Sequence, residues 1–138
     1  MPPFEILEHT ADVGFRAHGA NLKSLFENAA LAMVSIAADL GRVEPREPFA
    51  LTTDGTDGES LLVNWLSEVL WWWDAKRIAF REFHISEMDA GHVRAIGLGE
   101  PWDAARHRAK LIIKAVTYHQ LKIAETREGW SAEVFLDV

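Results

Sequence analysis

Val13-Gly14-Phe15-Arg16-Ala17-His18-Gly19-Ala20-Asn21-Leu22-Lys23-Ser24-Leu25-Phe26 is the stretch in which the apolar period changes, and that change decides the fold. Val13, Phe15 and Ala17 alternate with Arg16 and His18 in the period of two of a half-buried strand, so residues 13 to 19 read as a strand, preceded by another at 4 to 8. Asn21 has a side-chain oxygen able to take a free backbone N–H and reads as the N-cap of a helix running to about residue 39. Leu22, Leu25, Phe26, Ala29, Met33, Ile36 and Ala37 recur at three- and four-residue spacings and give that helix one apolar stripe. Lys23, Glu27 and Asn28 are expected to face water, and Gly41 to stop the helix.

Outward from this unit, Pro45 and Pro48 break the chain before a short strand at 49 to 53, and Asp54-Gly55-Thr56-Asp57-Gly58 reads as a turn. Asp57 or Ser60 is the candidate cap of a second helix at about 59 to 74, with Leu62, Trp65, Leu66, Val69, Leu70 and Trp73 as its apolar face. Consecutive helical residues are about 100° apart, so Trp71-Trp72-Trp73 cannot all point inward and at least one indole is expected to be partly exposed. Residues 79 to 87 and 92 to 98 read as a hairpin around Asp89-Ala90-Gly91, and 111 to 116, 118 to 126 and 130 to 137 as the closing strands. Two helices over about seven strands, without a phosphate-binding glycine loop, predict an α+β domain spanning residues 1 to 138. Its two layers are two helices packed on a mixed, largely antiparallel sheet.

Fourteen Lys and Arg against twenty-one Asp and Glu leave a net charge of −7, which disfavours unaided, stable binding to a nucleic acid. Arg106, Arg108, Lys110 and Lys114 nevertheless gather into a basic edge, either a solvated face or a contact for a protein partner or a single phosphate. With no cysteine there is no disulfide framework, thiolate zinc site or thiol nucleophile. Met1-Pro2-Pro3-Phe4-Glu5 lacks the charged and apolar regions of a signal peptide, and no run reaches the roughly 18 apolar residues of a membrane span. The expectation is a cytoplasmic protein with no membrane contact.

Two constellations carry chemistry. Asp12 stands where the first strand gives way to the second, beside His9 and Thr10, and Asp137 precedes Val138 at the end of the last strand. If those strands are neighbours, two carboxylates and the terminal carboxylate meet, and hard cations such as Ca2+ or Mg2+ take such oxygens. Either acid alone is equally a turn or strand-end residue. The second constellation is Glu100, Asp103 and His107, whose spacings bring them together over one or two helical turns for acid–base work or metal binding. The same residues also make a polar connecting loop with a local ion pair. His18, His84, His92 and His119 are scattered, no HExxH pair supports a zinc hydrolase, and no GxSxG elbow supports a serine hydrolase.

Six motifs in order resemble the archease family across essentially the whole chain: His9-Thr10-Ala11-Asp12-Val13-Gly14, Phe26-Glu27-Asn28-Ala29-Ala30, Leu61-Leu62-Val63-Asn64-Trp65-Leu66, Gly99-Glu100 with Asp103 and His107, Lys114-Ala115-Val116-Thr117-Tyr118-His119, and Leu136-Asp137-Val138. The resemblance implies a non-enzymatic accessory protein. It would activate the RtcB-type RNA ligase of tRNA splicing and RNA repair, promoting guanylylation of the ligase by GTP and its multiple turnover. It also implies a divalent cation, Ca2+ with Mg2+ or Mn2+ as substitutes, at Asp12, Asp137 and Val138. Lys114 matches a family lysine implicated in activating the ligase, and His9, Glu100, Asp103 and His107 match motif positions expected to contact partner or nucleotide. An alternative within the same family is a chaperone or modulator of an RNA-modifying enzyme such as a tRNA methyltransferase. A small metal-dependent hydrolase built on Glu100, Asp103 and His107 is the remaining alternative. The three consecutive tryptophans depart from the mixed apolar residues usual there.

Overall fold

A computed structural model describes residues 2 to 8 and 12 to 138. Its elements run β1 (Phe4–Glu8), β2 (Val13–Gly19), α1 (Leu22–Ala37), β3 (Glu47–Asp54), α2 (Gly58–Lys76), β4 (Ile78–Met88), β5 (His92–Pro101), β6 (Ala115–Val116), β7 (Lys122–Thr126) and β8 (Gly129–Asp137), with a short 3-10 turn at Leu40–Arg42. The α+β class holds, and every pairing among the described strands is antiparallel. The strands divide into two sheets, one ordered β1-β2-β8-β6 with β7 also on β8, the other β3-β5-β4. Helix α1 lies against β2 of the first sheet and β4 of the second, while α2 covers β3, so one core joins all layers.

Both helix starts form where their caps are. Asn21 accepts the Ser24 N–H and Ser24 Oγ accepts the Asn21 N–H, and Asp57 and Ser60 repeat the reciprocal arrangement for α2. The α1 stripe is buried as expected from Leu25 to Ala37, and Trp65 of α2, fully buried, donates its indole N–H to the Phe26 carbonyl at 2.9 Å. Glu27 and Asn28 do not simply face water. Both are half-buried, Glu27 accepting the Ile85 N–H at 2.8 Å and Asn28 donating to the His18 carbonyl at 2.6 Å, so two polar residues tie α1 to both sheets.

Several boundaries differ from the sequence reading, and backbone hydrogen bonds account for three of them. Helix α1 ends at Ala37 rather than 39, because Ala38 is extended and bridges Ala109, while Asp39 N–H bonds the Arg108 carbonyl. The run 111 to 116 pairs as a strand only at Ala115–Val116. Upstream of that, the Lys110 and Leu111 N–H groups bond the Ala37 and Ile36 carbonyls at the end of α1, so its backbone is satisfied by a helix terminus instead of a ladder. Residues 118 to 121 turn, with Gln120 at φ 53° and Leu121 N–H on the Tyr118 carbonyl, so the strand begins at Lys122.

Candidate functional site

The antiparallel register of β2 and β8 sets Val13 opposite Leu136 and Gly14 opposite Phe135. Asp12 immediately precedes β2, and Asp137 is the last residue of β8. Opposed residues of such a ladder share a face with Cβ atoms about 5 Å apart, so continuing this register brings the two carboxylates side by side. Leu136 is fully buried and Val13 packs against the core, so by the two-residue alternation Asp12 and Asp137 turn to the opposite face. On that face the Phe135 ring lies across Gly14, where a Cβ would sit 2.6 Å from it; only glycine leaves room for the ring beside the acid pair.

The Lys114–His119 motif wraps the same end of β8. Lys114 N–H bonds the Asp137 carbonyl at 2.7 Å, Thr117 donates both N–H and Oγ1 to the Phe135 carbonyl, and the His119 ring stands 6.4 Å from the Phe135 ring. Lys114 is exposed, Asp137 is exposed, and Asp12 and Val138 are half-buried, with the Val138 side chain against the core. Residues far apart in sequence, Asp12, Lys114 and Asp137, therefore converge on one strand end. Among the described residues no group of three His, Asp or Glu side chains gathers to hold a metal. His9 lies outside the described residues.

The second constellation is assembled, but not on a helix. Glu100, near the end of β5, is 1% exposed. One carboxylate oxygen accepts from His107 Nε2 and from the Glu44 N–H, both at 2.8 Å; the other takes Arg106 at 2.7 Å and Arg46 at 3.1 Å. Burial alone would raise the Glu100 pKa, but the Glu44 N–H, His107 and Arg106 together outweigh it and lower it to about 2. Asp103 does not join the carboxylate pair. Its Oδ1 accepts the Ala105 N–H within the turn, and it reaches His107 through its backbone, whose N–H bonds His107 Nδ1 at 2.9 Å. Trp102 packs 5.1 Å from the His107 ring and 4.8 Å from Trp73, and its N–H bonds the carbonyl of Arg77, the left-handed C-cap of α2. Every side-chain polar atom of Glu100 and His107 is thus engaged internally, the arrangement of a structural lock rather than a reacting pair. Arg46 and the Glu44 main chain were not legible as its members, since both lie more than 50 positions from Glu100.

The chain matches the model of the Archease protein family over residues 4–138. It belongs to the archease family. The protein archease of Methanosarcina acetivorans is 41% identical over 139 residues, covering 98% of this chain and 95% of the relative. That of Pyrococcus abyssi is 36% identical over 142 residues, covering all of both chains. The solution structure of Methanobacterium thermoautotrophicum protein 1598 superposes with a TM-score of 0.82 at 36% identity over the full length of both. The crystal structure of an archease from Thermotoga maritima, described as a possible chaperone, gives a TM-score of 0.63 over 96% of this chain and 94% of its own; at 21% identity it supports the archease fold alone. Within this archease, the expected exposed indole is Trp71, 48% accessible, edge-on to Trp72 at 5.6 Å and under the Lys76 ammonium at 5.7 Å. Among the described residues no helix is long and apolar enough to cross a membrane.

Proposed function

We propose that this archease activates an RtcB-type RNA ligase, promoting guanylylation of the ligase by GTP and its repeated turnover in tRNA splicing and RNA repair. The observation that carries this reading is the meeting of the outer ends of β2 and β8, which gathers Asp12, Asp137, Val138 and Lys114. The donors offered there are all oxygens, the choice of a hard cation: Ca2+ first, with Mg2+ or Mn2+ as substitutes. A cation bound by Asp12, Asp137 and Val138 would present positive charge to phosphate oxygens. The protein's own residues do the rest. Asp12 and Asp137 give the tip an anionic surface suited to a cleft built for phosphate and metal, and exposed Lys114 supplies a mobile point charge for a phosphate at its rim. Glu100, Asp103 and His107 serve this function indirectly, by holding the loop that leads from β5 to Lys114.

The experiment is a guanylylation assay with purified ligase, GTP and divalent cation. Asp137→Asn and Lys114→Ala are each expected to abolish most of the stimulation while the accessory protein remains cooperatively folded. Full stimulation by both variants overturns the reading, as does phosphoester turnover by this protein alone.

A further inference from the structure

We propose that the extended segment through Leu111 and Ile112 is a docking surface for an acidic, apolar-centred patch on a partner protein. Residues 104 to 124 contain Arg106, Arg108, Lys110, Lys114 and Lys122, five of the fourteen basic residues, and none of the twenty-one acidic ones, which leaves the rest of the chain at −12. At the middle of this basic run Ile112 is 82% exposed, the most accessible large apolar side chain among the described residues, with Leu111 at 45%. Scattered exposed apolar residues are ordinary, but two adjacent aliphatic side chains inside an acid-free basic stretch make a patch of defined character.

The segment is held in place on both sides. Lys110 N–H and Nζ bond the Ala37 and Ser35 carbonyls, Leu111 N–H bonds Ile36, Lys114 N–H bonds Asp137, and Ile113 is buried as the anchor between them. Ile112 therefore stands outward from a backbone already ordered, and little conformational entropy is lost when it is covered. Arg108 and Lys114 make no ion pair among the described residues, so their charge is available to a partner. An RNA is the poorer occupant: bases stack on aromatic rings, which Leu111 and Ile112 do not offer, and the −12 body repels a polyanion. The Trp71 patch is the poorer surface, because its indole is already covered in part by Trp72 and Lys76.

The identity of the partner rests on the ligase reading above, and the surface deepens it by separating docking from the acidic tip. Equilibrium binding of the full-length chain to the purified ligase tests both, with a single-stranded RNA as a second arm. Ile112→Asp and Ile112→Ser are expected to weaken ligase binding roughly tenfold or more, and Arg108→Glu several-fold, with melting temperatures unchanged. Affinity of the parent chain is expected to fall as salt rises, and Trp71→Ala to leave it unchanged. Failure of the parent chain to bind the ligase removes the ligase reading and this inference together. Parent-level binding by both Ile112 variants, or loss of RNA binding in place of ligase binding, overturns the inference alone.

Discussion

His107 donates from Nε2 to the Glu100 carboxylate at 2.8 Å while its Nδ1 accepts the Asp103 N–H at 2.9 Å, so the ring is fixed as the neutral Nε2–H tautomer. The lock therefore contains one anion, Glu100, shared by two arginines. Its pKa is lowered from 4.5 to about 2, so between those values the unfolded chain binds a proton that the folded chain does not. The Glu100 contribution to stability is present above about pH 4.5 and is lost as pH falls through about 2. Glu100→Gln keeps the shape and removes the charge; it should cost about 1–3 kcal/mol near neutral pH and flatten this acid limb, read by urea unfolding across the pH range. An acid limb as steep in the variant as in the parent chain assigns the effect elsewhere.

Gly14 lies under Phe135, and its added Cβ would also come within 2.9 Å of the Val134 carbonyl oxygen, which is backbone and cannot swing away. Gly14→Ala is expected to destabilise by about 1–3 kcal/mol through overpacking. The companion Gly14→Ala/Phe135→Leu should recover part of that loss. Thermal unfolding of the three variants measures both terms; equal losses with and without the ring remove the ring as the cause.

The proposed cation site places two like charges at one strand end, and a cation between them would offset their repulsion. Asp12→Asn and Asp137→Asn should each raise the melting temperature slightly in chelator and lower the affinity for Ca2+ roughly tenfold or more, the loss of one charged oxygen ligand. Calorimetric titration with Ca2+ gives the affinity, and the same titration with Mg2+ and Mn2+ ranks the ions. Unaltered Ca2+ affinity in both variants moves the cation away from this strand end.

Trp65 is fully buried and its indole spans from α2 to the Phe26 carbonyl of α1, with the Phe83 ring edge-on at 5.8 Å. Trp65→Phe leaves a space and removes the inter-helix hydrogen bond, an expected cost of about 2 kcal/mol or more. Chemical denaturation reads the cost, and a loss below about 0.5 kcal/mol means the neighbours have closed the space.

Local rules made α1, α2, their caps and the β4–β5 hairpin legible, since Asn21, Asp57 and the Asp89-Ala90-Gly91 turn act within a few residues of themselves. The acidic end was legible as two separate carboxylates and the family motifs named their company. That Asp12 and Asp137 adjoin is a property of the β2–β8 register, which joins residues more than 100 positions apart. The apolar run Leu111-Ile112-Ile113 has the composition of a strand, yet it has no strand partner, and the end of α1 takes the N–H groups of Lys110 and Leu111 at its start.

The sequence by itself determined the alternation of strand and helix, the buried faces and the polar residues that begin each helix, because period and capping are short-range. Only the tertiary structure decided which strand ends share an edge, which oxygens and arginines surround Glu100, and which aliphatic side chains stay uncovered. Those depend on backbone hydrogen bonds and desolvation between distant segments, and no residue carries the identity of a distant partner in its own side chain.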